Sequence, residues 1–128
     1  MYIKLFALVY MLFGHIVGDY CLQGWLASAK QKAWWEENSP DEMYRNDYKM
    51  ALFMHAFSWS FVMMAPAAVY LMEIGDLDSL YFVYLAINTG VHMYVDDLKA
   101  NKKLINLVTD QSFHVLQIFA TWWYLIVC

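Results

Sequence analysis

Residues 5–23 read LFALVYMLFGHIVGDYCLQ, an apolar run broken by His15 and Asp19. A helix crossing a bilayer needs about 20 predominantly apolar residues, and this run supplies them. The break is as informative as the run, because residues four apart share one face of a helix. An ionised group at the centre of a bilayer costs roughly 2.5–3.5 kcal/mol on insertion scales, so a disposable segment has no reason to carry this pair. The stretch predicts a membrane helix with one polar stripe turned toward protein partners. The same pair argues against a secretory signal cleaved after Ala27-Ser28-Ala29, which the flanks loosely resemble.

Working outward, the chain of 128 residues is 62% hydrophobic and only 16% charged, against about a quarter in soluble domains. Its net charge of −4 offers no basic footprint, which excludes nucleic-acid binding. Spans are predicted at about residues 2–23, 48–72, 80–98 and 109–128, with an amphipathic surface segment after the first, running through Trp25, Trp34 and Trp35. The charges between Lys30 and Lys49 read as a solvated face. Ser39-Pro40-Asp41-Glu42 has the marks of a helix start, with Ser39 as cap, Pro40 in the first turn and Glu42 completing a capping box. Helix two is expected to begin there, with a kink at Pro66 and a stop at Gly75, and Thr109 is expected to cap the last span. The expected fold is all-α: a single domain over residues 1–128, forming a transmembrane four-helix antiparallel bundle. Lipid is then the first partner, with self-association or another membrane protein as further partners.

Seven of the eight Lys and Arg residues lie in the first and third connections. The positive-inside rule places those connections in the cytoplasm and both termini outside. Cys21 and Cys128 then fall on opposite membrane faces, beyond the roughly 7 Å that a disulfide's Cα atoms can span.

Each expected helix holds one of the four histidines, and three have an aspartate at a spacing of four: His15 with Asp19, His92 with Asp96, and His114 with Asp110. Gln23 extends the first stripe, Asn88 the third and Gln117 the fourth. At about 1.5 Å per residue, all four histidines fall roughly 8–13 Å from the cytoplasmic ends of their spans. Imidazole and carboxylate donors without thiolates suit zinc first, with manganese, iron or nickel as alternatives. The predicted metal ligands are His15, Asp19, His55, His92, Asp96, Asp110 and His114. Three aspartates leave −1 beside one divalent ion and +1 beside two, so one or two ions fit. Asp97 points about 100° away from Asp96 and is not included.

These stripes resemble a family of small bacterial and phage integral membrane proteins catalogued as domain of unknown function 3307. The resemblance rests on Gly14-His15, Gly18-Asp19-Tyr20, Leu22-Gln23, His55, His92 through Asp96 with Leu98-Lys99, Asp110-Gln111 and His114. It spans nearly the whole chain except residues 30–47. Asp97 departs from it, since the family tends to have an aromatic residue there. The resemblance implies a multi-pass protein of the bacterial inner membrane and brings no reaction with it. Intramembrane His/Asp sets also occur in families described as membrane-bound metal-dependent hydrolases, an analogy only.

Two classes of function fit. The first is a metal-dependent hydrolase acting on a lipid or membrane-associated substrate, with Asp19 or Asp110 as general base and Gln23, Asn88 and Gln111 supporting the ligands or an oxyanion. The second is non-catalytic: a metal-binding scaffold, an ion- or proton-handling protein, or a phage effector that binds a host membrane protein. The outer half of each span lacks ionisable groups, which disfavours a polar path through the membrane. The topology predicts that a C-terminal reporter active only in the cytoplasm stays silent; a bright signal contradicts it.

Overall fold

The computed structural model describes residues 2–128, and among them there is no β-strand. Six α-helices follow in order: α1 (Tyr2–Ile16), α2 (Leu26–Ala29), α3 (Lys32–Asn38), α4 (Asp47–Glu73), α5 (Ser79–Ala100) and α6 (Leu107–Trp122). The four long ones form an antiparallel bundle. Lys4 on α1 lies beside Trp122 and Val127 at the end of α6, whereas Asp19 lies beside Gln111 at the start of α6. Asn88 on α5 meets Met64 of α4 and Thr121 of α6, and one turn further along His92 meets His55. Tyr2–Cys21 and Glu42–Glu73 are long and apolar enough to cross a membrane.

One half of the interior is apolar, with Leu8, Met11, Met63, Met64, Ile118 and Ile126 packed around Trp59. The other half is polar, and it lies toward the ends carrying the first and third connections. The histidines and aspartates occupy that half, as their sequence positions require.

The closest approach is between α1 and α4. A Cβ at Gly14 would stand 2.9 Å from the Val62 carbonyl oxygen, and one at Gly18 would stand 3.0 Å from the Trp59 ring. Gly14 and Gly18 are four apart, so they make one strip of bare backbone, the arrangement that lets membrane helices touch. Just beyond it the backbone widens into a π turn over Val17–Cys21, closed by Leu22 N–H donating to the Val17 carbonyl at 2.9 Å. The first helix is therefore not uniform to Gln23 as the apolar pattern predicts; it changes pitch at Asp19. Such π turns recur at functional sites because they re-aim one side chain. The chain then reverses at Gly24, whose φ of +47° is open to glycine at little cost.

The reversal sends α2 and α3 across the end of the bundle, where Asn101 donates to the Lys30 carbonyl and accepts from the Lys32 N–H. Trp25, Trp34 and Trp35 pack edge-to-face with ring centres 5.1–6.0 Å apart, and Trp35 stacks on Tyr44. The start signal at residues 39–42 is used, but not for α4. Asp41 rather than Ser39 accepts from the Met43 N–H, and it opens a single 3₁₀ turn, Glu42–Tyr44, before α4 begins at Asp47. The expected cap at Thr109 is displaced in the same way. Asn106 accepts from the Thr109 N–H, and α6 starts at Leu107. Gly75 ends α4 with φ of +71°, and Asp78 caps α5 by accepting from the Leu80 N–H.

The turn after α5 closes through Lys102 N–H to the Asp97 carbonyl and Leu104 N–H to the Leu98 carbonyl. Lys103 between them has φ of +55°, the one non-glycine among the described residues in that region. An L-residue held there costs roughly 1–2 kcal/mol. Cys21 and Cys128 are both free and exposed.

The two glycine environments predict opposite responses to the same methyl group. Gly14→Ala must force α1 off α4 and should cost about 1–3 kcal/mol. Gly90→Ala meets nothing within 4 Å and should stabilise α5 by about 0.5–1 kcal/mol. Thermal unfolding of both variants in detergent checks the pair.

Candidate metal centre

The polar half of the bundle is organised around nitrogen and oxygen atoms at separations from 3.2 Å upward, the long end of hydrogen bonding and beyond. His55 Nε2 lies 3.2 Å from Asp19 Oδ1, 3.3 Å from His92 Nε2 and 3.3 Å from Asp96 Oδ2. His92 Nε2 lies 3.6 Å from Asp19 Oδ1 and 3.8 Å from Asp96 Oδ2. Asp19, His55 and His92 form one group, with Asp96 Oδ2 at its edge. In a second group, His114 Nε2 lies 3.3 Å from Asp110 Oδ1 and 3.5 Å from Asp96 Oδ1. The two oxygens of Asp96 thus face different groups. N–H···O hydrogen bonds favour about 2.7–3.2 Å. The vertices of a tetrahedral zinc shell with bonds of about 2.0–2.2 Å lie roughly 3.3–3.6 Å apart, and most of these distances fall in or close to that range.

Satisfaction points the same way. Asp96 Oδ1, Asp110 Oδ1 and His114 Nε2 are buried and have no hydrogen-bond partner. An unpaired buried polar atom costs about 1–3 kcal/mol, and three such atoms facing one another make a set of donors for a cation. Asp19, His55 and His92 can hold a metal ion, as can His92, Asp96 and His114, and Asp19, Asp110 and His114.

The surrounding groups fix how the donors are presented. Gln117 Nε2 donates to the Asn88 carbonyl oxygen at 3.1 Å. A carbonyl only accepts, so the amide orientation is determined and Gln117 Oε1 must face His114 Nδ1, 3.1 Å away. His114 therefore carries a proton on Nδ1, and its Nε2 faces Asp96 and Asp110: an imidazolium donates to them there, and a neutral ring presents a lone pair, as metal-binding histidines do. Asn88 donates to Thr121 Oγ1 and accepts from Gln117, so it acts on His114 through one intermediary. Gln111 donates to Asp19 Oδ2 at 3.0 Å and to Asp110 Oδ2 at 2.9 Å, bridging two of the three carboxylates.

His15 lies in the same layer, its ring centre 5.9 Å from that of His114, but it is differently engaged. Trp59 Nε1 donates to His15 Nδ1 at 2.9 Å. The neutral ring must then hold its proton on Nε2, which makes His15 a donor rather than a lone-pair ligand. Trp59 is fully buried and stacks on His92, ring centres 4.1 Å apart. It braces two of the histidines. Gln23 reaches the rim of the layer, with a buried Oε1 that has no partner.

Two lysines complete the electrostatics. Lys30 Nζ donates to Asp96 Oδ2 at 2.6 Å, and Lys99 Nζ donates to Asp110 Oδ2 at 2.6 Å. Lys30 is 7% exposed, so its reading as part of a solvated face is corrected: the reversal at Gly24 carries it over the bundle and into the layer. The charge count changes with it. Three carboxylates and two ammonium groups leave −1 before any ion, +1 with one divalent ion and +3 with two. Asp97 faces elsewhere, accepting from Asn101 and pairing with Lys102 at 3.4 Å.

A family model described as "Protein of unknown function (DUF3307)" matches residues 7–128. The chain belongs to this family. Neither a curated protein nor a solved structure matches the chain.

Lys30→Met removes one partner of a buried pair and leaves the Asp96 charge uncompensated, which costs about 3–5 kcal/mol. Zinc should restore part of that loss by supplying the missing positive charge. Unfolding in detergent, with and without zinc, should therefore show a larger zinc-induced stabilisation in Lys30→Met than in the unaltered protein.

Proposed function

We propose that this chain is a membrane-embedded metal-dependent hydrolase acting on a lipid or membrane-associated substrate. The observation that carries the reading is the buried, unpartnered His114 Nε2 with unpartnered oxygens of Asp96 and Asp110 3.3–3.5 Å away, within overlapping His/Asp groups that could hold an ion.

Asp19, His55 and His92 would hold an ion at one position, and His92, Asp96 and His114 at another. Three protein ligands leave a fourth place for water or substrate, the pattern of catalytic rather than structural sites. A bound zinc ion would lower the pKa of its water toward about 7 and polarise a carbonyl or phosphoryl oxygen. Around it, Asp110 or Asp19 would take the proton, held in place by Gln111, while Lys99 keeps Asp110 ionised and fixed. His15 and Trp59 would keep the layer rigid, and Gln117 would hold the His114 tautomer.

Membrane embedding is supported by the outward faces. Large apolar side chains are exposed on every long helix: Phe6, Val9 and Phe13 on α1, Phe53, Phe57 and Phe61 on α4, Phe82, Ile87 and Val91 on α5, and Phe113, Leu116 and Phe119 on α6. A soluble monomer rarely exposes continuous apolar surface beyond a few hundred square ångströms. Four spans with both termini outside and Lys99, Lys102 and Lys103 in the cytoplasm follow from the charge asymmetry. The metal layer would then lie below the inner leaflet surface, within reach of a lipid headgroup. A non-catalytic metal scaffold is the second reading, supported by the depth at which Asp19, His55 and His92 are buried.

Elemental analysis and turnover separate the readings. The purified protein should retain zinc or a similar divalent metal, and His92→Ala should lose most of it. Against a total polar lipid extract followed by mass spectrometry, the loaded protein should convert at least one lipid class. Asp110→Asn should reduce that conversion by about 10²–10⁴-fold, the usual worth of a general base, with a smaller loss of metal. Metal near zero in both proteins sinks the site; metal without conversion leaves the scaffold.

A further inference from the structure

We infer that the cleft formed by Gln23, Lys30, Gln31, Lys99 and Lys103 is a binding subsite for a phosphate group of the substrate. The inference rests on the hydrolase reading for its reaction and deepens it by naming the chemical class on which that reaction acts.

The cleft has a volume of about 550 Å³ and lies where the α1–α2 reversal meets the turn after α5. Its floor is the metal layer itself, since Lys30 and Lys99 each line the cleft and each touch a carboxylate of the layer at 2.6 Å. An ammonium group has three donors, and each of these two has one carboxylate partner among the described residues. Lys103 supplies a third cation on the cleft wall. No acidic side chain lines the cleft among the described residues. Gln23 also lines the cleft, and its amide NH2 is the group that can donate to a phosphate oxygen.

Charge selects the occupant. The layer loaded with one divalent ion carries +1, and with two it carries +3, all beneath a cleft that adds Lys103. Neutral ester or amide groups leave that charge uncompensated, whereas a phosphate dianion and a hydroxide together neutralise the two-ion state. A phosphate also has enough oxygens to meet separate lysines and an ion at once. Hydrolysis of a phosphate ester needs no further reactant: the water oxygen bonds to phosphorus, the P–O ester bond breaks, and the water's proton passes to the departing alkoxide.

Lys103 is the point at which to test this, because its backbone is strained and glycine there would relieve the strain. Lys103→Gly should unfold no more readily than the unaltered protein, so lost binding cannot be ascribed to lost folding. Equilibrium dialysis with radiolabelled inorganic phosphate, with zinc content measured on the same samples, should show about a 10-fold rise in Kd for Lys103→Gly, the worth of one hydrogen bond to a charged group. Lys103→Arg should bind close to the unaltered level. Equal phosphate binding in Lys103→Gly, or none in the unaltered protein, overturns the subsite while retained zinc leaves the metal centre standing. Weakened binding in a protein that holds no zinc supports the subsite and overturns the metal reading. Competition then names the source: phosphatidic acid in neutral detergent micelles displacing the label at lower concentration than glycerol 3-phosphate identifies a lipid headgroup. The reverse order identifies a water-soluble ester, and displacement by neither overturns the phosphate-ester class.

Discussion

Three carboxylates buried at one level of a helical bundle are the constraint on which the rest depends. Asp19, Asp96 and Asp110 are each at most 6% exposed, and an ionised carboxylate taken out of water must be compensated or it costs several kcal/mol. Every unusual feature nearby addresses that cost. Lys30 and Lys99 neutralise two of the charges, Gln111 ties two of the carboxylates together, and His114 Nε2 lies 3.3–3.5 Å from oxygens of two of them. The compensation is incomplete, because oxygens on Asp96 and Asp110 keep no hydrogen bond. Replacing such a layer with apolar side chains would often leave a bundle equally or more stable.

The backbone arrangement serves the same layer. Gly14 and Gly18 let α1 lie against α4, and that proximity places Trp59 where it can donate to His15 and stack on His92. Immediately after this contact the π turn redirects Asp19 into the group with His55 and His92. An ordinary helix continuing to Gln23 would give Asp19 a different azimuth. The apolar half of the bundle, packed around Met11, Met63 and Met64, holds these elements in register without contributing to the chemistry.

Much of this is legible in the sequence. The His/Asp spacing of four on three helices defines stripes, and the depth of each stripe follows from where the basic residues place the connections. Together they predict the common layer that the ring contacts of His15, His55, His92 and His114 display. What periodicity does not carry is direction after a reversal. Lys30 looks like a solvated lysine because nothing local reveals that the turn at Gly24 returns it to the bundle. Trp59, four residues after His55, shares its face but looks like any core aromatic until its indole partner is known. His15 fits the stripe as well as His114 does, and only the Trp59 and Gln117 contacts reveal that the two rings present different atoms to the layer. Capping signals are similarly ambiguous, since Asp41 and Asn106 compete with Ser39 and Thr109 within three residues and local backbone geometry decides between them.

The central claim is that imidazole nitrogens and carboxylate oxygens of this layer together coordinate a metal ion. X-ray absorption at the zinc edge of the zinc-loaded protein in detergent tests it most directly. The account predicts nitrogen and oxygen neighbours at about 2.0–2.1 Å, accompanied by the outer-shell scattering of imidazole rings. That outer-shell signal should fall in both His92→Ala and His114→Ala if both groups of donors are used. A shell of oxygen neighbours alone, or an imidazole signal unchanged by both substitutions, would contradict it.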